Sequence, residues 1–91
     1  MSASSECSVV ERAVLLPEDL HARPAGALVR VAARFRSTVE VIFGTKRANA
    51  RSVLAIMSLN ATAGSTVLVR ADGDDADEAA AAVVLALSTA Q

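Results

Sequence analysis

The chain has 91 residues, a formal net charge of −1 and hydrophobic residues at 53% of its positions, although only 2% of the residues are aromatic. This length fits one small domain with an aliphatic core. The near-zero net charge, together with the scarcity of aromatic side chains for base stacking, argues against a nucleic-acid partner.

The first eight residues are small and polar, and we expect them to form a flexible N-terminal tail ahead of one domain over residues 9–91. They lack the basic and apolar regions of a secretory signal peptide. The longest apolar run, residues 79–87, is too short to span a bilayer, so we expect a cytoplasmic protein without direct membrane insertion. Cys7 is the only cysteine, which excludes an intrachain disulfide, and we expect neither a metal nor a cofactor.

The first predicted element is a strand over Val9–Leu16, which is rich in β-forming residues. Residues 17–19 end this strand and form a loop that leads to His21, the only histidine of the chain. Pro24 then opens a predicted helix that extends to Phe35, because proline is tolerated in the first helical turn, where its missing N–H has no intrahelical acceptor. One face of this helix carries a basic stripe, formed by Arg23, Ala27, Arg30 and Arg34.

His21 lies at the mouth of this predicted helix, where backbone N–H groups and the helix dipole favour an anion. Arg23, in the first turn, adds a planar guanidinium whose N–H donors suit phosphate oxygens. An imidazole nucleophile beside such an anion-binding site can carry a phosphoryl group. A histidine in front of a helix is more often a passive surface or capping residue, so these residues alone leave both interpretations open.

Two strands follow, one over Val39–Phe43 and a polar edge strand over Lys46–Ala50. Ser52 is a good N-cap for a short second helix over Val53–Leu59. One apolar sector of this helix forms either an adaptable binding patch or part of the core, and it consists of Val53, Leu54 and Met57.

The segment after the second helix contains Asn60 and Gly64, which suit left-handed backbone conformations. A fourth strand is predicted over Thr66–Ala71. The last helix is predicted to begin near Asp75, which with Glu78 three residues later has the pattern of a capping box.

The element order β-α-β-β-α-β-α predicts an α+β fold, with a four-stranded, mostly antiparallel sheet, helices packed on one face and the other face open to solvent. No P-loop, GxGxxG or GxSxG motif is present, so the chain lacks the means to bind a nucleotide or complete a turnover cycle alone. Seven of the nine basic residues lie between positions 23 and 51, which favours an acidic partner or a phosphate. We therefore expect a protein that is not an enzyme and acts through His21 and a partner.

Two segments resemble the signatures of HPr, the histidine-containing phosphocarrier family of the bacterial phosphoenolpyruvate-dependent phosphotransferase system (PTS). Residues 20–25, Leu-His-Ala-Arg-Pro-Ala, are similar to the active-site signature of that family. Residues 50–59 are similar to its second signature, which surrounds a regulatory serine. The spacing between His21 and Ser52 also equals the spacing in the family.

The resemblance implies an open-faced β-sandwich and a phosphoryl group carried on Nδ1 of His21. The donor would be the phosphohistidine of enzyme I, and the acceptors would be the A-domains (EIIA) of sugar permeases. Arg23 would stabilise the phosphate, Pro24 would start the active-site helix, and Ser52 would be the serine that HPr kinase/phosphorylase modifies in many members. We expect a monomer, with partner-docking positions at Gly26, Arg30, Arg51, Val53, Leu54 and Met57.

Asp19 departs from the family, which commonly has glycine just before the Leu-His pair. Its carboxylate should either repel an incoming phosphate or pair with Arg23 in the resting state, and we expect slower phosphoryl acceptance than in a relative with glycine there. Two alternatives stay open: a nitrogen-related HPr paralogue with a regulatory output, and a non-phosphorylated HPr-like regulatory binding module. Relatives of the second kind lose the histidine, whereas this chain has it as His21.

Overall fold

The computed structural model describes residues 9–89, so the predicted tail, residues 1–8, lies outside the described residues. Within residues 9–89 the elements follow the predicted order β-α-β-β-α-β-α. The strands are β1 (Val9–Leu15), β2 (Thr38–Phe43), β3 (Lys46–Asn49) and β4 (Thr66–Asp72). The helices are α1 (Ala22–Ala32), α2 (Val53–Ser58) and α3 (Ala76–Ser88).

The four strands form one sheet in the order β1-β4-β2-β3, and each neighbouring pair is antiparallel. Because side chains alternate between the two faces of a strand, every second residue of β4 points towards the helices. Val69 of β4 lies opposite Val41 of β2, and Val67 lies opposite Val14 of β1. All four valines are buried, which confirms the predicted α+β fold with helices on one face.

The helices close the core above this inner face of the sheet. α3 packs against β1, β4 and β2, α1 packs against α3 and α2, and α2 packs against β3. Small side chains let α3 lie close to the sheet, and its buried face includes Ala76, Ala80, Val83 and Leu87. The core is therefore aliphatic, as the composition predicts.

The outer face of the sheet carries a row of charges that alternate in sign across the strands. Arg70 on β4 lies between Glu11 on β1 and Glu40 on β2, with nitrogen–oxygen distances of 3.5 and 3.8 Å. Arg47 on β3 lies 3.7 Å from the same Glu40 carboxylate. Pairs of opposite charge on neighbouring strands favour this register, and each of these partly exposed pairs contributes about 1 kcal/mol or less.

The main difference from the predicted boundaries concerns α1, which begins at Ala22 instead of Pro24 and ends at Ala32 instead of Phe35. Pro24 is the third helical residue, which is tolerated because the N–H groups of the first turn have no intrahelical acceptors. At the other end, the Phe35 N–H bonds to the Ala32 carbonyl in the tighter i to i+3 pattern, so the helix tapers into a turn. The other predicted boundaries agree to within one residue.

The predicted capping box at the start of α3 is wrong. Asp75 is the N-cap residue, but its side chain makes no cap hydrogen bond. Its carboxylate instead accepts hydrogen bonds from Ser37 and Arg36, in the loop between α1 and β2. A contact with a distant loop thus replaces the local one, while Asp77 and Glu78 still place negative charge in the first turn of the helix.

Among residues 9–89, no helix combines the length and the apolar character needed to cross a bilayer.

Candidate active site around His21

His21 is the N-cap residue of α1, and its side chain does not cap the helix. The imidazole is 79% exposed, which leaves it accessible to a second protein. The positive end of the helix dipole lies at this position, and the first turn contains no acidic residue. An exposed imidazole at such a helix terminus is suited to hold an anion that is attached to the ring.

The segment before the helix is anchored by Leu20, which is only 4% exposed. Its N–H donates to the carbonyl of Ala61, in the segment after α2, at 2.9 Å. The His21 N–H donates to the Asp19 carbonyl at the same distance, which tightens the chain at the helix entrance. Because Leu20 is fixed in the core, the next side chain is directed to the surface.

Arg23 and Pro24 occupy the first turn of the same helix. Arg23 is exposed, so a charged fork of donors lies on the helix end that carries His21. Pro24 and Ala25 are buried and hold this turn against the core. The structure therefore places the three predicted active-site residues on one rigid helix terminus.

Asp19 is a further residue of this site, and its two carboxylate oxygens have different neighbours. Oδ1 accepts a hydrogen bond from the Ala63 N–H at 2.7 Å. Oδ2 lies 3.3 Å from Nε2 of His21. The sequence suggested that Asp19 bears on the site, but the contact with Ala63 joins residues 44 positions apart and had no signal in the local pattern.

A shallow pocket beside His21 brings the end of α2 to the active site. Residues from both segments form its lining: Asp19, Leu20, His21, Met57, Asn60, Ala61 and Thr62. Asn60 has a φ of 55°, which confirms the predicted left-handed turn after α2. This turn directs the chain back past residues 19 and 20, so Met57 shares a surface with His21.

Ser52 begins α2 as predicted. Its backbone is extended, and its hydroxyl accepts a hydrogen bond from the Ala55 N–H at 3.1 Å. The side chain is half-buried, and the residue lies between the edge strand β3 and the helix. These contacts confirm the N-cap and do not test the regulatory role.

The apolar sector of α2 is divided between surface and core. Leu54 is 78% exposed, whereas Val53 and Met57 are half-buried and pack against the core. Ile56 and Leu59 are buried in the core. An exposed leucine flanked by half-buried apolar neighbours can contribute to a docking surface.

The two predicted docking positions on α1, Gly26 and Arg30, lie on one side of the helix. Gly26 is half-buried, and a Cβ at this position would lie 3.8 Å from Nη1 of Arg30, an ordinary contact distance. Arg30 itself is exposed. Glycine is therefore not required at position 26 by the packing of the fold.

Arg51 has an intramolecular role that the sequence did not suggest. Its guanidinium donates to the Phe35 carbonyl just beyond α1, and its N–H donates to Oδ1 of Asn49 at 2.8 Å. The side chain therefore joins the end of α1 to the start of α2, in addition to placing a positive charge beside Ser52.

No group of three or more histidine, cysteine, aspartate or glutamate side chains that could hold a metal ion occurs between residues 9 and 89. The arginine and the backbone N–H groups at the start of α1 suit the binding of an anion, whereas the Asp19 carboxylate contacts the imidazole itself.

Comparison with known families and structures gives a consistent result. Residues 10–89 match the family model described as "PTS HPr component phosphorylation site". The chain is 38% identical over 64 residues to the phosphocarrier protein HPr of Mycoplasma capricolum subsp. capricolum, an alignment that covers 70% of this chain and 72% of the relative.

Solved structures are similar over most of the chain. A phosphocarrier protein HPr from Bacillus anthracis superimposes with a TM-score of 0.83 at 34% identity, covering 89% of this chain and 99% of the other. An HPr described as a dimer, from Thermoanaerobacter tengcongensis, gives a TM-score of 0.67 at 45% identity, covering 71% of this chain and 75% of the other.

Proposed function

The chain belongs to the HPr family of phosphocarrier proteins, and from this premise we propose that His21 is the residue that accepts and passes on the phosphoryl group. The observation that carries the proposal is the highly exposed imidazole at the N-terminus of α1, beside Arg23. The helix terminus and the arginine favour the phosphate, while the exposure lets a donor and an acceptor reach it in turn.

In the proposed reaction, Nδ1 of His21 attacks the phosphorus of a phosphohistidine on enzyme I. The new N–P bond forms as the bond to the donor imidazole breaks, and the donor nitrogen keeps the electron pair. In the second transfer, a nucleophile of an EIIA domain attacks the phosphorus, and the bond from phosphorus to Nδ1 of His21 breaks with its electron pair left on Nδ1. In each transfer the bond that forms is similar in energy to the bond that breaks. Arg23 should therefore stabilise the phosphate without binding it so tightly that the next transfer is slowed.

We propose that this chain is a carrier that depends on enzyme I as its phosphoryl donor. Enzyme I and EIIA would dock on the surface formed by α1 and α2, where Met57 lines the pocket beside His21 and Leu54 and Arg30 are exposed. We propose that the chain transfers the phosphoryl group in the cytoplasm, as a monomer with a single domain over residues 9–91. The basic charges on this surface fit an acidic partner.

Ser52 is the proposed regulatory site. A phosphate on its hydroxyl adds nearly two negative charges beside the docking surface. These charges would oppose an acidic surface of enzyme I and weaken docking, so a kinase acting on Ser52 would reduce phosphoryl flow to His21. Ser52 lies at the start of α2 and outside the buried core, so a phosphate there would not disturb core packing.

The test is incubation of the full chain with phosphoenolpyruvate and purified enzyme I, followed by intact mass and exposure to acid. We expect a gain of one phosphate that is lost in acid, because phosphoramidates hydrolyse there, and no gain in His21→Ala. Arg23→Ala should be phosphorylated more slowly but at the same residue.

Enzyme I proteins from both the sugar and the nitrogen branch should be compared in this assay. Preference for the nitrogen-branch enzyme would assign the chain to the regulatory paralogue. Failure with every enzyme I would refute the carrier role and favour a non-phosphorylated binding module.

A further inference from the structure

We propose that Asp19 is a positioning residue that fixes the tautomer of His21, so that Nδ1 holds the lone pair which attacks phosphorus. The inference rests on the proposed function and adds a second residue to it. It starts from a carboxylate with two separate contacts, one oxygen on the Ala63 N–H at 2.7 Å and the other 3.3 Å from His21 Nε2.

The carboxylate is held from two directions. Leu20, the next residue, is buried and bonds through its N–H to the Ala61 carbonyl at 2.9 Å, which fixes the main chain at this point. The Ala63 N–H fixes the side chain. His21, in contrast, has a 79% exposed side chain that makes no cap hydrogen bond. The fixed carboxylate can therefore orient the exposed imidazole.

The contact selects one tautomer because an ionised carboxylate can only accept hydrogen bonds. Oδ2 of Asp19 is stabilised beside Nε2 when that nitrogen carries a proton. In neutral imidazole only one nitrogen is protonated, so Nδ1 is then the bare nitrogen. The nitrogen that faces away from Asp19 is thus prepared as the nucleophile.

The transfer step balances with this tautomer. The bond from Nδ1 to phosphorus forms while the bond from phosphorus to the donor imidazole breaks, and the donor nitrogen keeps the electron pair. No proton has to leave Nδ1, since it carries none. The ring gains a positive charge, and the proton that stays on Nε2 faces the Asp19 carboxylate, which offsets that charge.

Asp19 also repels the incoming phosphate, as the sequence suggests, so its removal has two opposite effects. Two substitutions separate them, because Asp19→Gly and Asp19→Asn remove the same negative charge. Repulsion alone predicts that both variants accept phosphate faster than the wild type and at equal rates. Fixation of the tautomer predicts that they differ from each other.

The asparagine variant should favour the wrong tautomer. If its amide oxygen keeps the bond from the Ala63 N–H, its NH₂ group faces Nε2 of His21. A donor at this place stabilises unprotonated Nε2 and moves the proton to Nδ1, which blocks the nucleophile. The corresponding change in the Ser-His-Asp triad impairs catalysis in this way. Glycine offers neither a donor nor an acceptor and leaves the two tautomers to their intrinsic balance.

The experiment is ¹⁵N NMR of the His21 ring in the full chain at alkaline pH, where imidazole is neutral. We expect the fraction protonated at Nδ1 to be lowest in the wild type, intermediate in Asp19→Gly and highest in Asp19→Asn. In parallel, phosphoryl acceptance from enzyme I should be several-fold slower in Asp19→Asn than in Asp19→Gly.

Glu18→Gln is the matched control, since it removes a neighbouring carboxylate whose side chain makes no hydrogen bond or ion pair with residues 9–89. This variant should keep the wild-type ring shifts. Equal tautomer fractions in the wild type and in the two Asp19 variants would overturn the proposal, and either variant suffices if the other does not fold. The NMR result does not depend on enzyme I, so a failure of phosphoryl transfer would refute the carrier role separately.

Discussion

Gly73 is a residue whose lack of a side chain is required by its neighbour. A Cβ at this position would lie 2.6 Å from Oγ and 2.8 Å from Cα of Ser37, and the φ of Gly73 is 150°. Backbone and side chain of Ser37 are both fixed, because this serine is 1% exposed and bonds to Asp75. The clash could not be relieved by rotating a flexible side chain.

Gly73→Ala should therefore destabilise the protein by about 3 kcal/mol or more, from a strained backbone and an overpacked contact together. The measurement is the free energy of unfolding in urea. Gly44→Ala is the control, because Gly44 also has a positive φ, of 63°, but a Cβ there would meet nothing within 4 Å. It should lose only about 1–2 kcal/mol for the left-handed backbone. Equal losses in the two variants would contradict the packing argument.

Ser37 and Asp75 also give the fold a dependence on pH. The Ser37 hydroxyl, at 2.5 Å, and the Arg36 N–H, at 3.0 Å, lower the pKa of Asp75 from 3.8 to about 2. A carboxyl with a lowered folded-state pKa stabilises the native protein above its unfolded pKa, and this contribution is lost as the pH falls through about 2.

Ser37→Ala removes the largest cause of this shift, so the variant should be less stable than the wild type at neutral pH. The difference between them should shrink as the pH is lowered from about 4 towards 2, where Asp75 becomes protonated in both. Unfolding in urea at a series of pH values measures it. Ser88→Ala serves as the control, because that hydroxyl bonds to the Val84 carbonyl and, among residues 9–89, to no carboxylate. A pH-independent deficit in Ser37→Ala would contradict the linkage.

At the scale of the elements, α2 depends on its cap because the helix has only six residues. Short helices gain little from their own hydrogen bonds, so each satisfied N–H at the start matters. The Ser52 hydroxyl satisfies the Ala55 N–H. The same residue therefore holds in place the helix that carries the exposed Leu54.

Ser52→Ala should cost about 1 kcal/mol of stability through the loss of this cap. Ser58→Ala is the matched control, since its hydroxyl donates to the Leu54 carbonyl within the helix and alanine is the better helix former there. Chemical unfolding should show a loss for Ser52→Ala and almost none for Ser58→Ala. If both variants are as stable as the wild type, the cap does not contribute to stability.

The elements themselves were largely predictable from the sequence, and their ends were less so. Strand β4 and the buried stripe of α3 follow from local alternation and helical spacing, which depend on few residues. The start of α1 at Ala22 does not, because proline is compatible with any position of the first turn. The cap of α3 was mispredicted because Asp75 bonds to Ser37, whose sequence separation of 38 hides the contact.

In the candidate site, too, local features could be predicted from the sequence and contacts between distant segments could not. His21, Arg23 and Ser52 could be identified because each belongs to a continuous segment with a recognisable pattern. The contact between Asp19 and Ala63 could not, since it requires the turn at Asn60 and the packing of Leu20 to bring two segments together. Contacts that charged and capping side chains make with distant segments cannot be predicted from the local sequence pattern.

For the whole molecule, the connections place the active site and the candidate docking surface at one end. The loop after β1 and the segment after α2 meet there through the bond between the Leu20 N–H and the Ala61 carbonyl. Arg51 joins the start of α2 to the end of α1 through the Phe35 carbonyl. A partner that contacts Leu54 therefore touches an element held rigidly beside His21.

Two exposed leucines allow a direct test of this surface. Leu54 on α2 is 78% exposed and Leu85 on α3 is 62% exposed, so the protein should stay folded when either is replaced by aspartate. Leu54→Asp should raise the KM for enzyme I in the phosphorylation assay, because it removes an apolar contact and adds a charge that opposes an acidic partner.

Leu85→Asp adds the same charge outside the α2 surface and should leave that KM unchanged. If both variants raise the KM equally, net charge and not local contact governs the encounter, and raising the salt concentration should then remove the difference from the wild type. If neither does, enzyme I does not dock through α2. An effect confined to Leu54→Asp would indicate that enzyme I contacts the exposed leucine of α2 when it transfers the phosphoryl group to His21.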